Sequence, residues 1–152
     1  MREPLASRIL LYTLYGVLAL AVLVTATLPI MLDTYFGVLY DAYSLHPGYR
    51  AFIMPFLMFV GAAGSWVVLE MILMLRSVPT NPFVLRNVRA LKRVGAIFAI
   101  LTAVFFCKCF VYNTFLTMVG GVIFLLACLF TFTLASLFAQ AVAFREENDL
   151  TI

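Results

Sequence analysis

The sequence predicts an all-α polytopic membrane protein. Four transmembrane helices form an antiparallel bundle, both termini are cytoplasmic, and a short amphipathic cytoplasmic helix joins spans 2 and 3. Three observations predict this. Of 152 residues, 65% are hydrophobic and 11% charged, and mean hydropathy is +1.11, more apolar surface than a small soluble globule can hide. Four apolar stretches reach the roughly 20 residues that cross a hydrocarbon core of about 30 Å. The basic residues sit mostly on one side of those stretches, as the positive-inside rule requires.

The four spans fill a single domain, residues 1–152. The first covers about residues 9–32. It follows Arg2 and Arg8 and outruns a signal-peptide core of roughly 7–15 residues, so it is expected to be retained. The second covers about 51–75, the third 94–113 and the fourth 116–144. Tyr112-Asn113-Thr114 is barely a turn, so spans 3 and 4 are expected to make a tight antiparallel hairpin. Pro29 and Pro55 are candidate kinks. Gly61 with Ser65, and Gly120-Gly121, are places where backbones can approach closely.

Eight of the ten basic residues (Arg2, Arg8, Arg76, Arg86, Arg89, Lys92, Arg93 and Arg145) fall with the termini and the middle loop, against Arg50 and Lys108 on the other side. This assigns termini and middle loop to the cytoplasm. The outer loop, residues 33–50, carries Asp33, Asp41, the lone His46 and Tyr35, Tyr40, Tyr43 and Tyr49, and its tyrosines suit a headgroup belt.

In the middle loop, Asn81 and Pro82 read as N-cap and first helical residue. Val84, Val88 and Leu91 then share one stripe, with Arg86, Arg89 and Arg93 roughly opposite. Two readings of this helix stay open. One is an anchor drawn to anionic lipid, the other a docking face for a cytoplasmic partner. The tail, with Glu146, Glu147 and Asp149, reads as a solvated acidic end able to pair with the loop arginines, though exposed pairs add little.

Two segments carry a family resemblance: Asn81-Pro82-Phe83-Val84-Leu85-Arg86-Asn87-Val88-Arg89-Ala90-Leu91-Lys92-Arg93-Val94-Gly95 and the closing Glu146-Glu147-Asn148-Asp149-Leu150-Thr151-Ile152. With the number and order of spans, they make the chain resemble a bacterial membrane family, the domain of unknown function numbered 2975. Arg86 stands where that pattern has an acidic or polar residue. The resemblance implies a bacterial cytoplasmic (inner) membrane. Genes of that family often neighbour one for a small helix-turn-helix regulator of the Cro/CI type. A cytoplasmic regulator is therefore the implied partner, and no catalytic residue is implied.

Ionisable groups inside spans are costly and are functional candidates by default. Glu70 lies in the inner leaflet, within reach of Arg76, Arg93 or Arg8. Lys108 lies in the outer leaflet, about 15 Å away in depth, and is expected to snorkel toward Asp33, Asp41 or the headgroups. Gln140, Thr102, Thr131 and Thr133 are thin material for a relay between them. Cys107 and Cys109 point apart on a helix, and with Cys128 they read as buried small hydrophobes.

No constellation of catalytic, metal-binding or cofactor-binding residues is recognisable. The expectation is a non-enzymatic membrane protein that binds or sequesters a helix-turn-helix regulator without touching nucleic acid. Arg86, Arg89, Lys92 and Arg93 are the contact residues, joined by Glu146, Glu147 and Asp149. The alternative is a small oligomeric channel or transporter using Glu70 or Lys108.

Overall fold

The computed structural model describes residues 5–43, 48–77 and 85–149. Every regular element among them is helical: α1 (Leu5–Tyr43), α2 (Tyr49–Ser77), α3 (Leu85–Val111) and α4 (Phe115–Asp149). Each contains a segment long and apolar enough to cross a membrane, namely Ser7–Thr34, Ala51–Ser77, Leu85–Val111 and Phe115–Arg145. The chain is thus a candidate multi-pass membrane protein with four spans.

Two boundaries differ from the sequence reading. The outer loop expected over residues 33–50 is shorter, because the α1 backbone stays helical to Tyr43 and α2 begins at Tyr49. Between Asp33 and Tyr43 only Gly37 weakens a helix, and the strong breakers come at Pro47-Gly48. Residues 85–93, expected as a short amphipathic helix along the inner headgroup surface leading into the third span, are the first turns of α3 and run unbroken into the apolar stretch. No proline interrupts them, and the first glycine is Gly95. The Asn81-Pro82 start signal and Val84 fall outside the described residues, as do His46 and the last three residues of the tail.

Nine hydroxyl groups inside the spans are satisfied by their own helices. Thr13, Thr25, Thr27, Thr34, Ser65, Thr102, Thr131, Thr133 and Ser136 each donate to the carbonyl four residues earlier, at 2.6–3.1 Å. This is how a helix carries a hydroxyl into a medium without water.

By contacts the chain forms two compact units, Pro4–Leu69 and one holding Glu70–Ile152, divided within α2. In the first unit α1 and α2 meet where Gly61 faces Thr25. A Cβ on Gly61 would collide with the Thr25 hydroxyl and lie 3.0 Å from its methyl. The small-x-x-x-small step at Gly61 therefore serves close packing of α2 on α1.

In the second unit α3 and α4 pack as an antiparallel hairpin across residues 112–114. Their contact faces repeat every seven residues. On α3, Asn87, Val94, Leu101 and Lys108 are all buried; on α4, so are Gly121, Cys128, Ala135 and Val142. Thr117 and Thr131 are buried on the adjoining α4 stripe, which Phe124 continues half-buried. A seven-residue spacing keeps one stripe facing a partner helix along its length, as in shallow left-handed crossings. Small side chains on α4 let the backbones approach. Phe105 packs edge-on to Phe124 at 5.0 Å, and the Phe132 ring lies 3.2 Å from where a Gly95 Cβ would stand.

Candidate functional site

Polar side chains gather at the two ends of α3. At its start, Arg93 makes a bidentate pair with Glu70 of α2: Nε donates to Oε1 at 2.7 Å and a terminal guanidinium nitrogen to Oε2 at 2.9 Å. The Glu70 side chain is only 7% exposed, whereas that of Arg93 is 54% exposed. A fork-to-fork pair fixes orientation as well as charge, and a carboxylate buried in an apolar span needs such a partner. Of the three arginines the sequence offered to Glu70, Arg93 makes this pair.

Seven residues further along α2, Ser77 Oγ lies 2.8 Å from Asn87 Oδ1 and 2.7 Å from the Met74 carbonyl, its proton shared between two acceptors. Residues 70 with 93 and 77 with 87 are consistent with one antiparallel register. The two contacts therefore pin the end of α2 to the start of α3 on either side of residues 78–84.

That pinning sets the face of α3. Asn87, Val88, Ala90, Val94 and Gly95 are buried; Leu85, Arg86, Arg89, Lys92, Arg93 and Ala96 are exposed. At about 100° per residue, the exposed set spans an arc of roughly 120°, and all four cations lie in it. Val88 is buried and Leu91 half-buried, both outside this arc. No carboxylate among the described residues pairs with Arg86, Arg89 or Lys92.

The acidic tail stands elsewhere. Residues 145–149 continue α4 rather than forming a frayed end. Glu147 is exposed, and the side chains of Glu146 and Asp149 lie outside the description. The contacts of Phe105 with Gly120 and of Gly95 with Phe132 set Gln140 level with Arg86. Glu147 then lies about 10 Å further along the axis. Arc and tail share an end of the hairpin, but the described residues do not join them in one cluster.

At the other end of α3, the Lys108 ammonium donates to Thr117 Oγ1 at 2.6 Å, and Thr117 is 2.6 Å from Thr114 Oγ1. Thr114 precedes α4, and its carbonyl accepts from the amides of Thr117 and Met118. Lys108 is 4% exposed, so it does not snorkel to the headgroups. The reason is its register: it occupies the seven-residue stripe begun by Asn87, and the hydroxyls at the α4 start give it an acceptor inside. Arg93 and Lys108 are 15 positions apart on one helix, roughly 22 Å, so Glu70 and Lys108 belong to separate clusters. The hydroxyls of Thr102, Thr131 and Thr133 are already engaged, and Gln140 is exposed.

Among the cysteines only Cys128 is buried; Cys107 is exposed and Cys109 intermediate. The expectation of three buried small hydrophobes thus fails at Cys107, which stands on the outer surface of α3. Among the described residues no three metal-ligating side chains converge.

No family model, curated protein or solved structure matches the chain.

The Ser77–Asn87 contact and the Thr114–Thr117 acceptor pair were not singled out from sequence. A Thr-x-x-Thr step directly after Asn113 is a helix-start signal that could have marked the second. The seven-residue recurrence of Asn87 and Lys108 with Val94 and Leu101 could have marked both as inward-facing.

Proposed function

We propose that the chain is a non-enzymatic multi-pass protein of the bacterial cytoplasmic membrane that docks a small cytoplasmic helix-turn-helix regulator at the α2–α3 end. The observation that carries this is the basic arc of Arg86, Arg89 and Lys92, exposed and held in orientation by Glu70–Arg93 and Ser77–Asn87. A preoriented arc of cations suits an acidic face on a partner, where rim charges guide encounter and register. The positive-inside distribution supports a cytoplasmic location for this end. The regulator is the partner that the family resemblance of residues 81–95 and 146–152 implies. Glu147, one to two turns beyond Arg86, adds an acidic margin to the same end.

The test is co-purification, in mild detergent, of the helix-turn-helix regulator encoded beside the chain's gene. The expected result is retention by the wild type and a loss of roughly tenfold or more in R86E/R89E/K92E. No retention by the wild type overturns the proposal. The alternative, a small oligomeric channel or transporter, has less behind it. Glu70 and Lys108 each sit in a local cluster, and the hydroxyls between them are committed to their own helices.

A further inference from the structure

We propose that the arc Arg86–Arg89–Lys92 is a binding site for the headgroup of an anionic phospholipid, drawn from the leaflet in which α3 begins. The proposal stands apart from the regulator reading and commits to lipid as the resting occupant.

Depth is the first argument. From Val94 to Val111 the helix carries one ionisable side chain besides cysteine, Lys108, and that one is buried. At about 1.5 Å per residue this stretch rises roughly 27 Å, close to the hydrocarbon thickness of about 30 Å. Arg93 therefore stands at the hydrocarbon boundary. Lys92, Arg89 and Arg86 follow over the next roughly 10 Å, the zone of phosphates and glycerols. Long basic side chains there run their methylenes along apolar surface and present the cation to the phosphate layer.

Geometry is the second argument. The three cations lie within an arc of roughly 120° and rise about 9 Å along the axis, a span that one headgroup and its neighbour can bridge. They lie in the first turns of α3, at the end of the helix where the macrodipole is positive. The nearest carboxylate described at this level, Glu70, is buried and bound to Arg93, so it does not neutralise them. The opposite face of α3 is packed, with Asn87 at 2%, Val88 at 4% and Ala90 at 3% exposure. The helix therefore cannot roll its cations inward without breaking those contacts.

Selectivity is the third argument. Three cations that no carboxylate among the described residues pairs favour a headgroup carrying net negative charge over a zwitterion, whose own ammonium they would repel. Juxtamembrane cations near an anionic surface act with this preference, and salt weakens it.

The experiment uses the full-length protein in a non-ionic detergent, with equal amounts of phosphatidylglycerol and phosphatidylcholine, and native mass spectrometry to count each lipid retained. The wild type is expected to keep phosphatidylglycerol over phosphatidylcholine by roughly tenfold, with the preference falling as salt rises. R86Q/R89Q/K92Q is expected to lose it, and R86K/R89K to keep most of it, because net charge rather than the planar fork carries the selectivity. Circular dichroism of each variant confirms that the helices are intact before the lipids are compared. Equal retention of both lipids by the wild type, or an unchanged preference in the triple variant, overturns the proposal. Absence of regulator binding by the wild type, with its lipid preference intact, would overturn only the docking reading.

Discussion

Glu70 and Arg93 illustrate how a carboxylate is kept in an apolar span. The bidentate geometry, at 2.7 and 2.9 Å, compensates for burial of one partner while the other stays half in contact with the surroundings. Removing only the cation should therefore be worse than removing both groups. R93M is expected to destabilise the protein by about 3 kcal/mol, the lower part of the range for broken buried pairs because Arg93 is half exposed. E70L/R93M should return to within about 1 kcal/mol of wild type; thermal unfolding in detergent across this cycle measures both. At the far end of α3, Thr117 accepts from Lys108. T117V should cost about 2 kcal/mol by leaving a buried donor without that acceptor, and T117S less than about 1 kcal/mol. Equal effects of the two substitutions would show that the side chain matters there for shape alone. Glu70 was legible as a buried acid in need of an arginine, because one charge in an apolar run admits few solutions. Lys108 was misjudged because snorkelling depends on which way a helix faces, and hydropathy does not report facing.

At the scale of elements, four apolar stretches became four helices, since length and composition decide that question almost alone in lipid. What composition missed was where helices stop and which faces meet. Residues 33–43 and 85–93 look polar enough for loops, yet nothing in them ends a helix, so α1 and α3 continue through them. Facing was readable only in the small and polar residues. The buried stripes, Gly121, Cys128, Ala135 and Val142 on α4 and Asn87, Val94, Leu101 and Lys108 on α3, are, Leu101 apart, smaller or more polar than the exposed Leu, Ile and Phe beside them. Their seven-residue spacing is the surviving signal. Close approach at Gly61 gives a prediction on the first unit. G61V should destabilise it by about 1–3 kcal/mol through overpacking against Thr25. T25A, which removes the hydroxyl and methyl that the new side chain meets, should recover a substantial part in the double variant. Absence of rescue in G61V/T25A, followed by thermal unfolding, would mean that the clash lies elsewhere.

At the scale of the whole molecule, four helices long and apolar enough to cross a membrane carry buried ionisable side chains near the two ends of α3. α3 is the element that connects the polar clusters at its two ends. The basic arc was visible in the sequence as an amphipathic pattern. Its fixed orientation was not, because that depends on Glu70 and Ser77, distant residues of a different helix. Docking of a cytoplasmic regulator requires the arc to face the cytoplasm. Side-specific thiol labelling in intact cells tests this most directly, with R89C and H46C each placed in a chain carrying C107S, C109S and C128S. An impermeant reagent is expected to label H46C in intact cells and R89C only after permeabilisation. Labelling of R89C in intact cells, as readily as H46C, would rule out a cytoplasmic arc.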